Sequence, residues 1–355
     1  MKAIVRLTLL LLVLTVIVTL GAWWALNERG QFLNTEQGST DLLLPGFSEN
    51  LSLASKVTLT FGQGIRGTRN ITLKADEAGT WRVEERLGYP ADGGLVQHLL
   101  LGLARTKIIA PRTADPERHK ALGLGAPEDF GTGARVRIDG EGQIDGQTDT
   151  LASVLVGNVQ TNSGGARRYM RRTGENQSYL VTSTLPVVSK VVDWLDPAFV
   201  ALPPERVETI VIADSEGTQY RLVREKISGD YNLDYSGEEQ PTTRRTLLNE
   251  PARIISRLRF DDVLPSEAIN FETAWQAVFY TDDGLIVTLT MTGAGNAVWT
   301  TLSAQASPDA PDSVRDEAHT INNRLSKWAY KLPFEQAAVL TQPLSALIVS
   351  PSPAS

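Results

Sequence analysis

Cysteine is absent from all 355 residues. That excludes disulfide frameworks, thiolate metal sites, iron–sulfur clusters and cysteine nucleophiles. Histidine is scarce: only His98, His119 and His319 occur, and His319 has no histidine at i+4, so an imidazole metal site has little to draw on. There is no basic excess either. Lys and Arg number 34 against 41 Asp and Glu, a formal net charge of −7, which argues against a general nucleic-acid binder. Glycine (29) and proline (18) are at ordinary levels, which excludes collagen-like repeats and wholesale disorder. The motifs G-x-S-x-G, H-E-x-x-H and G-x-x-x-x-G-K-[ST] are missing. No catalytic, cofactor-binding or metal-binding residue is therefore assigned, and the chain is expected to be non-enzymatic.

What is present is one long apolar run. Residues 7–26 read LTLLLLVLTVIVTLGAWWAL, twenty residues without a charge, and twelve of them are Leu, Ile or Val. As a helix this segment is about 30 Å long, the thickness of a bilayer's hydrocarbon core. At roughly −0.3 to −0.6 kcal/mol per residue the twelve favour insertion by about 4–7 kcal/mol. Lys2 and Arg6 precede the run, while Glu28 and Arg29 nearly cancel after it. The positive-inside rule places residues 1–6 in the cytoplasm and everything beyond Asn27 across the membrane. Trp23 and Trp24 fall at the outer interface, where an indole keeps one edge wet. The rival reading is a cleaved signal peptide. Its apolar stretch is usually 7–15 residues long and ends in an A-x-A arrangement, whereas Ala25 here has Trp23 two positions before it. A retained single-pass anchor is expected.

Residues 27–55 read as a stalk with an apolar patch at Leu42–Leu44. Beyond it, alternation marks strands at Val57–Phe61, Ile71–Leu73 and Trp81–Val83, and a helix starts after Asp92 with Leu95, Leu99 and Leu103 on one face. Strand-like runs follow at Val136–Ile138, Ala152–Val156, Arg168–Arg171 and Tyr179–Thr182, then a helix from Pro186 to Trp194. The order then recurs. Val207–Ala213, Tyr220–Val223 and Tyr231–Leu233 stand where Val57–Phe61, Ile71–Leu73 and Trp81–Val83 stood, Val57 and Trp81 each matching a residue 150 positions later. A helix is predicted near Thr242–Leu258, with Pro251 inside it, and a closing helix carries Ile321, Leu325 and Trp328. The predicted fold class is α+β: an N-terminal transmembrane helix followed by two similar domains of mainly antiparallel sheet with packed helices, related by internal duplication. The first repeat is assigned to residues 56–200, the second to 201–345, and 346–355 to a disordered tail.

Few residues point to chemistry. Asp139, Glu141, Asp145 and Asp149 fall in a Gly-rich stretch, but Ile144 and Thr150 stand where an EF-hand needs glycine and glutamate, so a solvated hairpin loop is expected. The pairs Asp261-Asp262 and Asp282-Asp283 are adjacent, and strand neighbours point to opposite faces. Gly131-Thr132-Gly133 reads as a turn, His98 as a surface or half-buried residue and His119, among Glu117, Arg118 and Lys120, as solvated. The concentrated positive feature is Arg167, Arg168, Arg171 and Arg172 around Tyr169 and Met170. The plain reading is an exposed strand whose guanidinium stems cover apolar surface. The sharper one is a patch for anionic headgroups, acidic glycans or an acidic partner.

The succession Tyr89-Pro90-Ala91-Asp92, Leu122-Gly123-Leu124-Gly125-Ala126-Pro127, Leu155-Val156-Gly157, Arg168-Tyr169-Met170-Arg171 and Val192-Asp193-Trp194-Leu195-Asp196 resembles domain-of-unknown-function family 4340. The resemblance covers residues 40–200 and extends, as the duplicated half, to about 345. It implies a bacterial membrane-anchored protein found near gliding-motility-type ABC transporter components, and it brings no active site. The expectation is therefore an accessory or interaction protein in the cytoplasmic (inner) membrane, held to the lipid bilayer through residues 7–26, with its body in the periplasm or outside. Its expected partner is an ABC-transporter-like integral-membrane complex. The alternatives are an envelope hydrolase acting on glycan or peptide, or a receptor for a small envelope ligand.

Overall fold

The computed structural model describes residues 41–141, 148–160, 166–235 and 241–349. The predicted anchor with Trp23 and Trp24, Asp145 of the acidic stretch and residues 350–355 lie outside the described residues. Among the described residues no helix is long and apolar enough to cross a membrane. The fold is mixed α/β, dominated by two large antiparallel sheets with a few helices. The chain divides into two compact units: residues up to Glu85 with Pro90–Trp194, and Arg86–Tyr89 with the residues from Leu195 onward.

In the first unit, strand β1 (Ala54–Gly62) buries Val57 and Leu59 and leaves Thr58 and Thr60 half-buried, the alternation that a one-sided core requires. It lies between β2 (Thr68–Ala75) and β6 (Ala134–Glu141), so that Leu59 faces Ile71 on one side and Val136 on the other, while Val57 faces Leu73 and Ile138. Strands β3 (Trp81–Val83), β4 (Tyr89–Pro90), β5 (Ile108–Pro111), β7 (Thr148–Gln160), β8 (Arg167–Arg172) and β9 (Ser178–Thr182) complete a nine-stranded sheet of order β4-β3-β2-β1-β6-β7-β8-β9-β5. Helix α1 (Gly93–Ala104) starts at Asp92, whose Oδ1 accepts from the Leu95 N–H at 3.0 Å, and buries Val96, Leu99, Leu100 and Leu103. Each such leucine contributes about 1.5–3 kcal/mol through removal of apolar surface from water.

Several expectations are corrected in this unit. Leu43, Leu44 and Phe47 belong to its core, so residues 41–55 do not form a stalk. The helix expected from Pro186 is confined to a short 3-10 turn at Val191–Trp194. Val187, Val188, Val191 and Val192 are β-branched and resist helix, and the backbone is drawn off instead: the Val188 carbonyl accepts from the Trp194 indole at 3.1 Å. His119, at the end of α2 (Pro116–His119), is buried rather than solvated, its Nε2 2.9 Å from the Asn176 carbonyl oxygen. Asp139 is also buried, within β6 rather than in a loop. It accepts from Arg137 Nε at 2.7 Å and from the Thr150 hydroxyl at 3.0 Å.

The second unit contains β10 (Val207–Ala213), β11 (Gln219–Arg224), β12 (Tyr231–Asp234), β13 (Asp262–Pro265), β14 (Trp275–Thr281), β15 (Leu285–Ala294), β16 (Ala297–Ala306) and β17 (Trp328–Leu332), in the order β12-β11-β10-β14-β15-β16-β17-β13. Ile210 faces Leu222 and Phe279 across its two neighbours, and Phe279 in turn faces Val287. Position by position this is the order β3-β2-β1-β6-β7-β8-β9-β5 of the first sheet. Helices α3 (Arg245–Ile255) and α4 (Asp312–Leu325) bury Leu248, Ile254 and Ile255, and Val314, Ile321 and Leu325 respectively. Trp328 opens β17 instead of extending the last long helix. Leu347 is buried and Ile348 bridges Thr243, so residues 346–349 pack onto the unit rather than trail from it.

Both units close an open strand edge with a side chain. In the first, the Glu85 carboxylate accepts from the Thr72 N–H at 2.9 Å. In the second, the Asn322 amide donates to the Ala304 carbonyl at 2.7 Å and accepts from the Ala304 N–H at 2.8 Å. Each contact satisfies backbone that no neighbouring strand reaches.

Candidate functional site

Strand β8 is interior, with β7 and β9 on either side, so the arginine run is not an exposed edge. Alternation divides its side chains between two faces. Met170 is fully buried, and Arg168 and Arg172 share its side; Arg167, Tyr169 and Arg171 take the other. Three of the four arginines reach local acceptors. Arg172 donates through Nε to the Leu43 carbonyl at 2.7 Å, pairs with Glu175 at 3.0 Å and lies over the Tyr179 ring at 5.7 Å. Arg171 donates to the Glu175 carbonyl at 2.9 Å, and Arg168 to the Leu185 carbonyl at 3.4 Å. Burial holds the Arg168 guanidinium below its ordinary pKa; burial and then the nearby Arg135 charge do the same to Arg171. These three are largely structural cations.

Arg167 differs. It opens onto a cleft of about 730 Å³ lined by Gly94, Gln97, His98, Leu101, Gly102 and Arg105 of α1 and its end, and by Ala166, Thr182, Ser183 and Thr184. The helix contribution falls at i, i+3/4, i+7/8 and i+11, the stripe opposite Val96, Leu99 and Leu103. Glycine at 94 and 102 keeps that stripe low. A Cβ at Gly102 would come within 2.7 Å of the Leu185 side chain. Among the described residues no carboxylate lines the cleft. Arg105 and Arg167 make no ion pair among the described residues. His98 is exposed on the cleft wall, as the sequence predicts for it. Sequence reasoning found Arg167 but not Arg105 or Thr182–Thr184, which lie far apart in the chain; the available signal was the polar, Gly-spaced face of α1.

The remaining candidates have other roles. Gly131-Thr132-Gly133 forms a backbone crossing in which a Cβ at Gly131 would stand 2.3 Å from the Gly125 carbonyl carbon. Asp262 pairs with Arg86 at 2.6 Å. Asp283 and Glu317 both bind Arg206, at 2.8 and 2.6 Å, beside a smaller cleft of about 430 Å³ whose walls include Glu208, Arg221, Asp282 and Asp309. The Glu317 hydrogen bonds, reinforced by Asp283, raise Arg206 above its ordinary pKa despite partial burial. Burial pushes Asp283 upward, but the Thr281 hydroxyl and Arg206 outweigh it and hold the carboxyl low. Among the described residues no cluster of three or more His, Cys, Asp or Glu is arranged to hold a metal. In the second unit Phe199, Phe260 and Tyr330 form an aromatic cluster with centroids 4.5–5.6 Å apart, and Tyr89 packs edge-on at 6.2 Å from Tyr330. Burial drives the Tyr89 phenol up to about 12 and Tyr330 higher still. His319 is exposed on α4.

Residues 81–273 match the family described as Domain of unknown function (DUF4340), and the chain belongs to that family. The match begins at the first residue of β3 and ends beyond β13, so it draws on both units. No curated protein and no solved structure matches the chain.

Proposed function

We propose that the protein is a single-pass, membrane-anchored accessory or interaction subunit, N-terminus inside, whose two units lie on the outer side of a bacterial cytoplasmic membrane and serve an ABC-transporter-like integral-membrane complex without catalysis of their own. The observation that carries the reading is the charge-free run of residues 7–26, preceded by Lys2 and Arg6. The transporter context comes from the resemblance alone. The shared strand order of the two sheets supports their origin by internal duplication, which supplies the body with two strand-edged modules for docking. Detergent extraction followed by affinity capture and mass spectrometry tests the role. Recovery of an integral-membrane permease with its ATPase is expected; recovery of no integral-membrane protein contradicts it. The cleft of the first unit favours one alternative within the same address, a receptor for a small envelope ligand.

A further inference from the structure

The geometry points to the cleft between α1 and the β8–β9 strand ends as a binding site for a phosphoryl group, carried either by a soluble phosphate ester or by an anionic lipid headgroup. Three observations support the assignment. The first is charge. Arg105 and Arg167 line one cleft and, among the described residues, neither makes an ion pair and no acidic residue lines it, although the whole chain carries a net −7. The other three arginines of β8 are each committed to a local carbonyl or carboxylate. Among the described residues, Arg167 is the one of the four with no such partner, and it lines the cleft.

The second is donor chemistry. Thr182, Ser183, Thr184 and Gln97 line the same cleft as the two arginines, and the Ser183 hydroxyl accepts there from the Leu185 N–H at 3.3 Å. A phosphate monoester or pyrophosphate offers three terminal acceptor oxygens at each end, a phosphodiester headgroup two terminal and two ester oxygens, against the two of a carboxylate, and planar arginine forks match oxyanions in bidentate geometry. The third is shape. Gly94 adds no side chain to the helix wall, Leu185 packs against Gly102, and about 730 Å³ of space is ample for a diphosphate or a phosphorylated headgroup. The site lies within one unit. It is independent of which side of the membrane the body occupies, so its failure and that of the anchoring proposal are separable.

The test uses the full chain in nanodiscs of phosphatidylcholine, titrated with inorganic pyrophosphate by calorimetry, and in parallel in discs that also contain phosphatidylglycerol, with hydrogen exchange followed in α1 and at Thr182–Thr184. The double variant Arg105→Gln, Arg167→Gln keeps side-chain length and removes both charges, and Arg221→Gln in the other cleft is the control. Pyrophosphate binding that weakens at least about tenfold in the double variant, and not in the control, supports the site with a soluble ligand; the loss corresponds to about 1.4 kcal/mol. Protection that appears only with phosphatidylglycerol and disappears in the double variant supports the site with a headgroup ligand. Absence of both responses, or responses equal in wild type and double variant, overturns it.

Discussion

At the scale of single residues, burial without a partner and burial with one have opposite consequences. The Tyr330 hydroxyl is fully buried and, among the described residues, meets no partner in good hydrogen-bonding geometry; burial first, and then the neighbouring Tyr89 hydroxyl, a distorted contact at best, raise its pKa. An unpaired buried hydroxyl costs roughly 1–3 kcal/mol. Tyr330→Phe keeps the aromatic packing and is expected to leave stability unchanged or raise it by about 1 kcal/mol in denaturant unfolding. A loss beyond 1 kcal/mol would reveal a hydrogen bond that the geometry lacks. Asp283 shows the paired case. Its folded pKa lies below the unfolded value, so its stabilising effect is present above pH about 4 and fades as pH falls through the folded pKa. Because Asp283 and Glu317 are more than a third exposed, solvent screens the pairing and the effect is modest. Wild type should therefore exceed Asp283→Asn in unfolding midpoint at pH 7, and the gap should shrink at pH 3. A gap independent of pH contradicts the assignment.

Elements show where sequence pattern sufficed and where it did not. Val57–Phe61 and Val207–Ala213 were legible as strands because their alternation coincides with a one-sided core, Ile71–Leu73 is a strand whose three residues are all buried, and the cap at Asp92 marked the start of α1. The Pro186–Trp194 helix was not, since apolar spacing says nothing of the carbonyl that the Trp194 indole recruits. His119 illustrates the same limit: its sequence neighbours are charged, but the Asn176 carbonyl that receives it lies in another segment. Edge closure by Asn322 was equally invisible, because it depends on β16 outrunning β17. Asn322→Ala removes both bonds to Ala304 and is expected to cost about 1–3 kcal/mol, with faster amide exchange at Ala304. Wild-type exchange there in the variant would show that the edge is protected by other means. For the candidate site, Arg167 was legible as part of a basic run. Its separation from Arg168, Arg171 and Arg172 was not, because it follows from which carbonyls lie within reach of each guanidinium.

For the whole molecule, eight of the nine strands of the first sheet follow the same order as the eight of the second, and the strands that recur in the sequence pattern occupy equivalent positions in each sheet. The units are not contiguous in sequence, since Arg86–Tyr89 groups with the second unit through the Arg86–Asp262 pair and the Tyr89 ring contacts. A boundary drawn only by repeat offset misses that exchange. What the two units do together rests on their address, and that rests on residues 7–26. Alkaline phosphatase fused after Ser355 of the full chain is active only when exported. High phosphatase activity in a membrane fraction that resists carbonate extraction is expected; an inactive fusion, or an active one released in soluble form, contradicts an anchored body on the outer side.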